Sequence, residues 1–107
     1  MNGISIVIPV YNEAASIASV IRQIQDVLQR RGIAFDIIVV DDGSTDGTVD
    51  QAACVDGVTV LRHAVNLGYG AALKTGIRHS RHDLICITDG DETYPNDRIP
   101  DLIAVLT

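Results

Sequence analysis

The chain has 107 residues, a length typical of one compact domain, and 47% of them are hydrophobic, which excludes an intrinsically disordered polypeptide. The formal net charge is −6 at pH 7 and no basic stripe is present, which argues against nucleic acid as a partner. No apolar run in the sequence reaches the roughly 20 residues of a membrane-spanning helix.

Apolar residues predict strands and helices that alternate along the chain. In chain order, these are a strand at 4–10, a helix at 17–28, a strand at 36–40, a short helix at 49–53, a strand at 58–61, a helix at 66–77, a strand at 84–88 and a helix at 99–106. Alternation of this kind predicts an α/β fold with a mainly parallel sheet of about four strands. Because the strands are continuously apolar, we expect helices on both faces of the sheet.

Polar residues gather just after the carboxyl ends of three predicted strands, in "YNE", "DDGS" and "TDGDE". The carboxyl ends of parallel strands share one edge, where ligands bind in open α/β sheets. We therefore expect a single cleft to be lined by Glu13, Asp41, Asp42, Asp89 and Asp91. The alternative is that these acidic residues are merely solvated in loops, but their recurrence at equivalent positions favours the cleft.

The "DGD" triplet at the end of the fourth predicted strand is a candidate metal site. On an extended segment, Asp89 and Asp91 project to the same side, and Gly90 leaves room between them. Two carboxylates suit Mg²⁺ or Mn²⁺, which fill their remaining positions with phosphate oxygens and water. The alternative is a turn in which an aspartate caps the next helix.

The glycine-rich stretch "GYGAALKT" is neither a P-loop nor a dinucleotide fingerprint, because Leu73 stands where each motif requires glycine. Two interpretations of it remain open. The backbone N–H groups of a glycine-rich turn before a helix can bind an anion. Alternatively, Gly68 and Gly70 only allow a tight turn, and Lys74 is a solvated helix residue.

The cysteines and histidines show no ligand-like spacing. Cys54 and Cys86 lie in apolar settings, which predicts reduced core thiols of a cytosolic protein. The histidines, His63, His79 and His82, are expected at the surface, and no Ser-His-Asp arrangement is evident.

Four stretches together resemble family 2 glycosyltransferases in their order and spacing: "ISIVIPVYNEAASI", "DIIVVDDGSTDGT", "NLGYGAALKTGI" and "ITDGDETYPND". The resemblance is closest to the dolichol-phosphate mannosyltransferase-like branch. It implies a GT-A fold, which is Rossmann-like, and a nucleotide-diphosphate sugar, GDP- or UDP-linked, as donor.

The resemblance also implies roles for individual residues. By position, the donor-nucleotide contacts of the first loop fall on Pro9, Tyr11 and Glu13. The base and ribose contacts after the second strand fall on Val40, Asp41 and Asp42. The Asp-x-Asp motif that binds the metal and the diphosphate falls on Asp89, Gly90 and Asp91, with Asp89 and Asp91 as the metal ligands.

The activity that the resemblance implies is metal-dependent, inverting transfer of a sugar to an acceptor hydroxyl or lipid phosphate, with Mg²⁺ or Mn²⁺ as cofactor. Residues 1–107 are expected to supply the donor-binding part of a GT-A domain, and the acceptor half with its catalytic base is expected beyond Thr107. The acceptor would be a polyprenyl phosphate or a glycan. We expect a cytoplasmic protein, at the cytoplasmic face of the membrane in the full enzyme, and self-association through a truncated sheet edge.

Two other classes of protein share some of these features. A phospho-acceptor receiver domain has similar length and an acidic pair, but that pair follows the first strand, whereas "DD" here follows the second. A non-catalytic nucleotide-binding or assembly domain would keep the fold without turnover.

Overall fold

The structure, a computed structural model, describes residues 3–88, which form four strands and three helices. The elements are β1 (Ile4–Val10), α1 (Ile17–Arg30), β2 (Phe35–Asp41), α2 (Thr48–Ala53), β3 (Val58–Arg62), α3 (Tyr69–Arg78) and β4 (Leu84–Ile87). The predicted alternation is confirmed over this range. The predicted helix at 99–106 and the acidic motif at 89–91 lie outside the described residues.

The four strands form one parallel sheet in the order β3-β2-β1-β4. This order agrees with the first four strands of the Rossmann arrangement, 3-2-1-4. It differs from the flavodoxin-like order, in which β1 lies between β2 and β3. A receiver-like sheet, the alternative left open by the acidic pair, has the second of these orders and is therefore not what this chain forms.

Helices cover both faces of the sheet, as expected. On one face, the apolar stripe of α1 packs against alternate residues of β1 and β2 in a cluster that includes Ile21, Ile6 and Ile37, all fully buried. On the other face, α3 contributes Ala72 to a smaller cluster with Ile38 and Val40.

Helix α3 lies unusually close to the sheet because of Gly76. A Cβ atom at Gly76 would lie 2.4 Å from Val7 Cγ1 and 3.2 Å from Val40 Cγ2. Val7 and Val40 are fully buried and β-branched, so they cannot move aside. The absence of a side chain at Gly76 therefore lets α3 rest directly on β1 and β2.

A polar cluster ties the chain together at the amino edge of the sheet. The buried Ser5 hydroxyl donates to Asp36 Oδ1 and accepts from the backbone N–H groups of Arg81 and His82, each at 3.1 Å. His82 Nε2 lies 3.8 Å from the same Asp36 oxygen. This cluster links β1, β2 and the segment that leads into β4.

The two cysteines differ in environment, and both are free. Cys86 is buried in β4, and its burial raises the pKa of its thiol. The prediction was wrong for Cys54, which is exposed because it caps the short helix α2 and falls outside that helix's buried side.

Within residues 3–88, no helix has the length and apolar character needed to cross a membrane.

Candidate functional site at the carboxyl edge

The loops that follow β1 and β2 are joined by hydrogen bonds at the carboxyl edge of the sheet. Asn12 N–H donates to Ser44 Oγ at 2.8 Å, and its own side-chain oxygen accepts from Thr45 N–H at 2.9 Å. Glu13 N–H donates to Thr48 Oγ1 at 2.9 Å. Asn12 adopts φ 53°, a left-handed conformation that asparagine tolerates better than most residues. The first loop is therefore fixed against the second.

The two neighbouring aspartates of "DDGS" face opposite sides of the sheet, as adjacent residues on an extended chain do. Asp41 is fully buried, and its Oδ2 accepts from Ser44 N–H at 3.0 Å. Its Oδ1 has no hydrogen-bond partner among residues 3–88. Asp42 turns to the α3 side instead.

The Asp42 carboxylate is held by three hydrogen bonds. Oδ1 accepts from Leu67 N–H at 2.9 Å and lies 2.8 Å from His63 Nδ1, while Oδ2 accepts from Gly68 N–H at 2.9 Å. Burial on its own would raise the pKa of the Asp42 carboxyl. The hydrogen bonds from His63, Leu67 and Gly68 and the charge interaction with His63 outweigh burial, so that pKa lies below its ordinary value of 3.8.

His63 was expected at the surface, but it is largely buried. Its side chain is only 11% exposed, and its Nε2 lies 2.9 Å from Thr75 Oγ1 of α3. Because a carboxylate can only accept, Nδ1 carries the proton that faces Asp42. The prediction of a surface residue was wrong because β3 lies next to β2, which places the residue after β3 beside the residue after β2.

Asp42, His63 and Thr75 form a chain of contacts that has the connectivity of an acid–base–nucleophile triad. Its orientation argues against nucleophilic chemistry. The Thr75 hydroxyl lies on the helix and donates to Ala71 O at 3.0 Å, whereas Asp42, at the acid end, borders open space. The arrangement therefore suits ligand binding by the carboxylate.

The glycine-rich turn before α3 binds a carboxylate of the protein itself. The N–H groups of Leu67 and Gly68 donate to Asp42, and Lys74 is exposed on the helix. The interpretation of Lys74 as a solvated residue is thereby favoured. The two N–H groups hold Asp42 in place.

Gly43 allows the β3–α3 loop (residues 63–68) to cross the β2–α2 loop (residues 42–47). Gly43 has φ +82°, and a Cβ atom there would lie 2.6 Å from Asn66 N and 2.7 Å from the Val65 carbonyl carbon. These are backbone atoms, so a side chain could be accommodated only by displacing the loop.

A cavity of about 130 Å³ opens at this edge, and we call it the edge cavity. It is lined by Pro9, Val10, Tyr11, Asp42, Tyr69 and Ala72. Two exposed tyrosines, Tyr11 and Tyr69, flank it, and Asp42 supplies its carboxylate.

The edge cavity brings together some of the residues singled out from the sequence. Pro9, Tyr11 and Asp42 line it, whereas the buried side chains of Val40 and Asp41 and the partly buried Glu13 are not among its lining residues. Tyr69, which sequence reasoning missed, opens α3, and its place directly after "NLG" at the start of a predicted helix was the available signal.

The candidate metal ligands Asp89 and Asp91, together with Gly90, lie outside the described residues. Among residues 3–88, no group of three or more acidic, histidine or cysteine side chains is arranged to hold a metal. The described chain ends at Thr88, whose N–H donates to Val7 O at 3.1 Å.

A family model, glycosyl transferase family 2, matches residues 5–107. The chain belongs to this family. The resemblance inferred from the sequence is thereby confirmed, and the predicted GT-A fold is confirmed by solved structures. Glucosyl-3-phosphoglycerate synthase from Mycobacterium tuberculosis, crystallised with Mn²⁺, UDP and phosphoglyceric acid, has a TM-score of 0.82 and 32% identity over 98% of this chain and 39% of its own.

Two curated members of the family are similar in sequence. Undecaprenyl-phosphate 4-deoxy-4-formamido-L-arabinose transferase from Pseudomonas paraeruginosa is 41% identical over 105 residues, 94% of this chain and 31% of that protein. The enzyme of the same description from Aeromonas hydrophila is 33% identical over 94% of this chain and 32% of its own length. This chain therefore spans about a third of the length of the curated relatives it matches.

Proposed function

We propose that residues 1–107 form the donor-binding part of a metal-dependent, inverting glycosyltransferase. The full enzyme transfers a sugar from a nucleotide-diphosphate sugar to an acceptor hydroxyl or lipid phosphate. The observation that carries the proposal is the edge cavity, where two tyrosines flank a carboxylate at the carboxyl edge of a parallel sheet. Ligands bind at this edge in open α/β sheets.

The lining of the edge cavity suits a nucleoside. Tyr11 and Tyr69 offer aromatic faces on which a base can stack. Asp42 can accept a hydrogen bond from a base N–H or a ribose hydroxyl. UDP is the favoured nucleotide over GDP, since glucosyl-3-phosphoglycerate synthase from Mycobacterium tuberculosis was crystallised with UDP.

The metal would be held by Asp89 and Asp91, whose paired carboxylates are the ligand type that Mg²⁺ and Mn²⁺ prefer. An ion held there would neutralise charge on the diphosphate of the donor. A cation is needed because the chain carries a formal net charge of −6 and the donor is an anion. The Mn²⁺ and Mg²⁺ in the crystals of the structural neighbours support this assignment.

For the full enzyme we propose a polyprenyl-phosphate acceptor, because the similar curated proteins are described as undecaprenyl-phosphate transferases. A glycan is the alternative acceptor. A lipid acceptor and two unpaired cysteines fit a location at the cytoplasmic face of the membrane.

We also propose that the chain self-associates through β4, which lies at one end of the described sheet and exposes Ile87.

The test is calorimetric titration of the chain with UDP and GDP, with and without Mn²⁺. We expect UDP to bind and Mn²⁺ to strengthen the binding, with Asp91→Asn losing the Mn²⁺-dependent gain and the exposed control Asp50→Asn retaining it. We expect residues 1–107 to bind donor without transferring sugar, because transfer also needs a positioned acceptor and a base, and the chain spans about a third of the length of its curated relatives. No binding of either nucleotide would overturn the proposal, and sugar transfer by residues 1–107 alone would overturn their assignment as a donor-binding part.

A further inference from the structure

Asp42 has one hydrogen-bonding position left when its contacts with residues 3–88 are counted. Oδ1 accepts from both His63 Nδ1 and Leu67 N–H, which occupies its two lone pairs. Within the described part of the chain, Oδ2 accepts only from Gly68 N–H. A ligand in the edge cavity therefore meets a single available lone pair of this carboxylate, and that lone pair is on Oδ2.

His63 is fixed on three sides, which makes it a rigid support for Asp42. Its backbone N–H donates to Asp41 O at 2.8 Å, its Nδ1 faces Asp42 at 2.8 Å, and its Nε2 contacts Thr75 Oγ1 at 2.9 Å. Thr75 lies on α3, which Gly76 seats directly on the sheet. The imidazole is thus held between the end of β2 and a helix that packs directly on the sheet.

We propose that His63 is a positioning residue for the nucleotide: it occupies Oδ1 of Asp42 and so leaves Oδ2 as the acceptor for a base or ribose donor. This inference rests on the proposed function. His63 is not among the residues that line the edge cavity, so it acts through Asp42 and not by touching the ligand.

Isosteric variants separate this role from simple packing. The amide nitrogen of asparagine reaches the position of Nδ1, whereas that of glutamine reaches the position of Nε2. His63→Asn therefore keeps a donor for Asp42 and loses the contact with Thr75, His63→Gln does the reverse, and His63→Leu has neither contact. His79→Asn, at the exposed carboxyl end of α3, is the control for loss of an imidazole elsewhere.

The first measurement is the affinity for UDP by calorimetry, with circular dichroism to verify folding. We expect affinity to fall in the order parent, His63→Asn, then His63→Gln and His63→Leu together, with the last pair roughly tenfold weaker than the parent, about the value of one hydrogen bond. If His63→Leu does not fold, the comparison of the two polar variants carries the test. Equal affinities for His63→Asn and His63→Gln would overturn the inference.

The second measurement needs no nucleotide. Carbon NMR titration of the Asp42 carboxyl should show a higher pKa in His63→Gln and His63→Leu than in His63→Asn, since the first two lose the donor to Oδ1. An unchanged Asp42 pKa in all three variants would overturn the inference even if UDP binds. Failure of the parent chain to bind any nucleotide would remove the proposed function, and the role of His63 in it.

Discussion

The sheet has an aspartate–histidine pair at each edge, and the two pairs are built differently. At the amino edge, Asp36 and His82 are 3.8 Å apart, and both contact the buried Ser5. At the carboxyl edge, Asp42 and His63 are 2.8 Å apart, and the carboxylate borders a cavity of about 130 Å³.

The difference lies in what each carboxylate contacts. At the amino edge, the hydroxyl that donates to Asp36 also accepts two backbone N–H groups, so this contact joins β1, β2 and the segment before β4. At the carboxyl edge, Asp42 borders the edge cavity and, among residues 3–88, keeps one lone pair on Oδ2. The same residue types therefore fasten the chain at one edge and present an acceptor at the other. Substitutions at the amino edge should cost stability alone, and those at the carboxyl edge should cost binding.

The largest effect is expected from Gly43→Ala, a substitution at the carboxyl edge of the sheet. A left-handed alanine and a clash with the backbone of the β3–α3 loop should together lower the free energy of unfolding by roughly 3 kcal/mol. UDP binding should be lost as well, because that loop carries all three hydrogen-bond donors to Asp42, namely His63, Leu67 and Gly68. Urea denaturation and calorimetry measure the two effects. Gly47→Ala is the control, since a Cβ atom there meets nothing within 4 Å.

At the amino edge, Ser5→Ala should lower the free energy of unfolding by about 2 kcal/mol, because Asp36 loses a donor and two backbone N–H groups lose their acceptor. UDP affinity should not change. Urea denaturation and UDP titration of the same preparation provide the comparison. A drop in affinity without a drop in stability would contradict the contrast drawn between the edges.

A smaller effect is expected for Asp42→Asn. It replaces an ionised acceptor with a neutral amide, so UDP affinity measured by calorimetry should fall roughly tenfold, about the value of a charge-assisted hydrogen bond. Asp50→Asn, at an exposed position of α2, is the control for loss of a charge. Equal losses in the two variants would point to a general electrostatic effect.

The smallest effect concerns the stability of the folded state at low pH. The folded-state pKa of Asp42 lies below its ordinary value of 3.8, so its contribution to stability is present above about pH 4 and is lost as the pH falls through the folded-state pKa. The parent should therefore lose more stability than Asp42→Asn between pH 4 and pH 2. Thermal melts across this range measure the difference, and parallel curves would show that the carboxylate is not stabilised by its contacts.

The fold was largely predictable from the sequence, because the strands are mainly apolar and alternate with helices, of which α1 has a clear apolar stripe. The site was predictable only in part. Which of Asp41 and Asp42 borders the cavity depends on strand alternation at the end of β2, which extends one residue past its predicted end. His63 lies 21 positions from Asp42, and only the placement of β3 beside β2 brings them together.

The close approach of Gly76 to Val7 has a consequence for hydrogen exchange around the edge cavity. One wall of the cavity, with Tyr69 and Ala72, belongs to a helix whose backbone rests on the sheet, so amides in the middle of α3 should exchange with solvent only when the whole domain unfolds. The loop that precedes α3 exposes Val65 and Leu67, so its amides should exchange sooner, through local opening. Slow exchange in α3 beside faster exchange in the preceding loop would therefore mark the helix as the more stable side of the cavity.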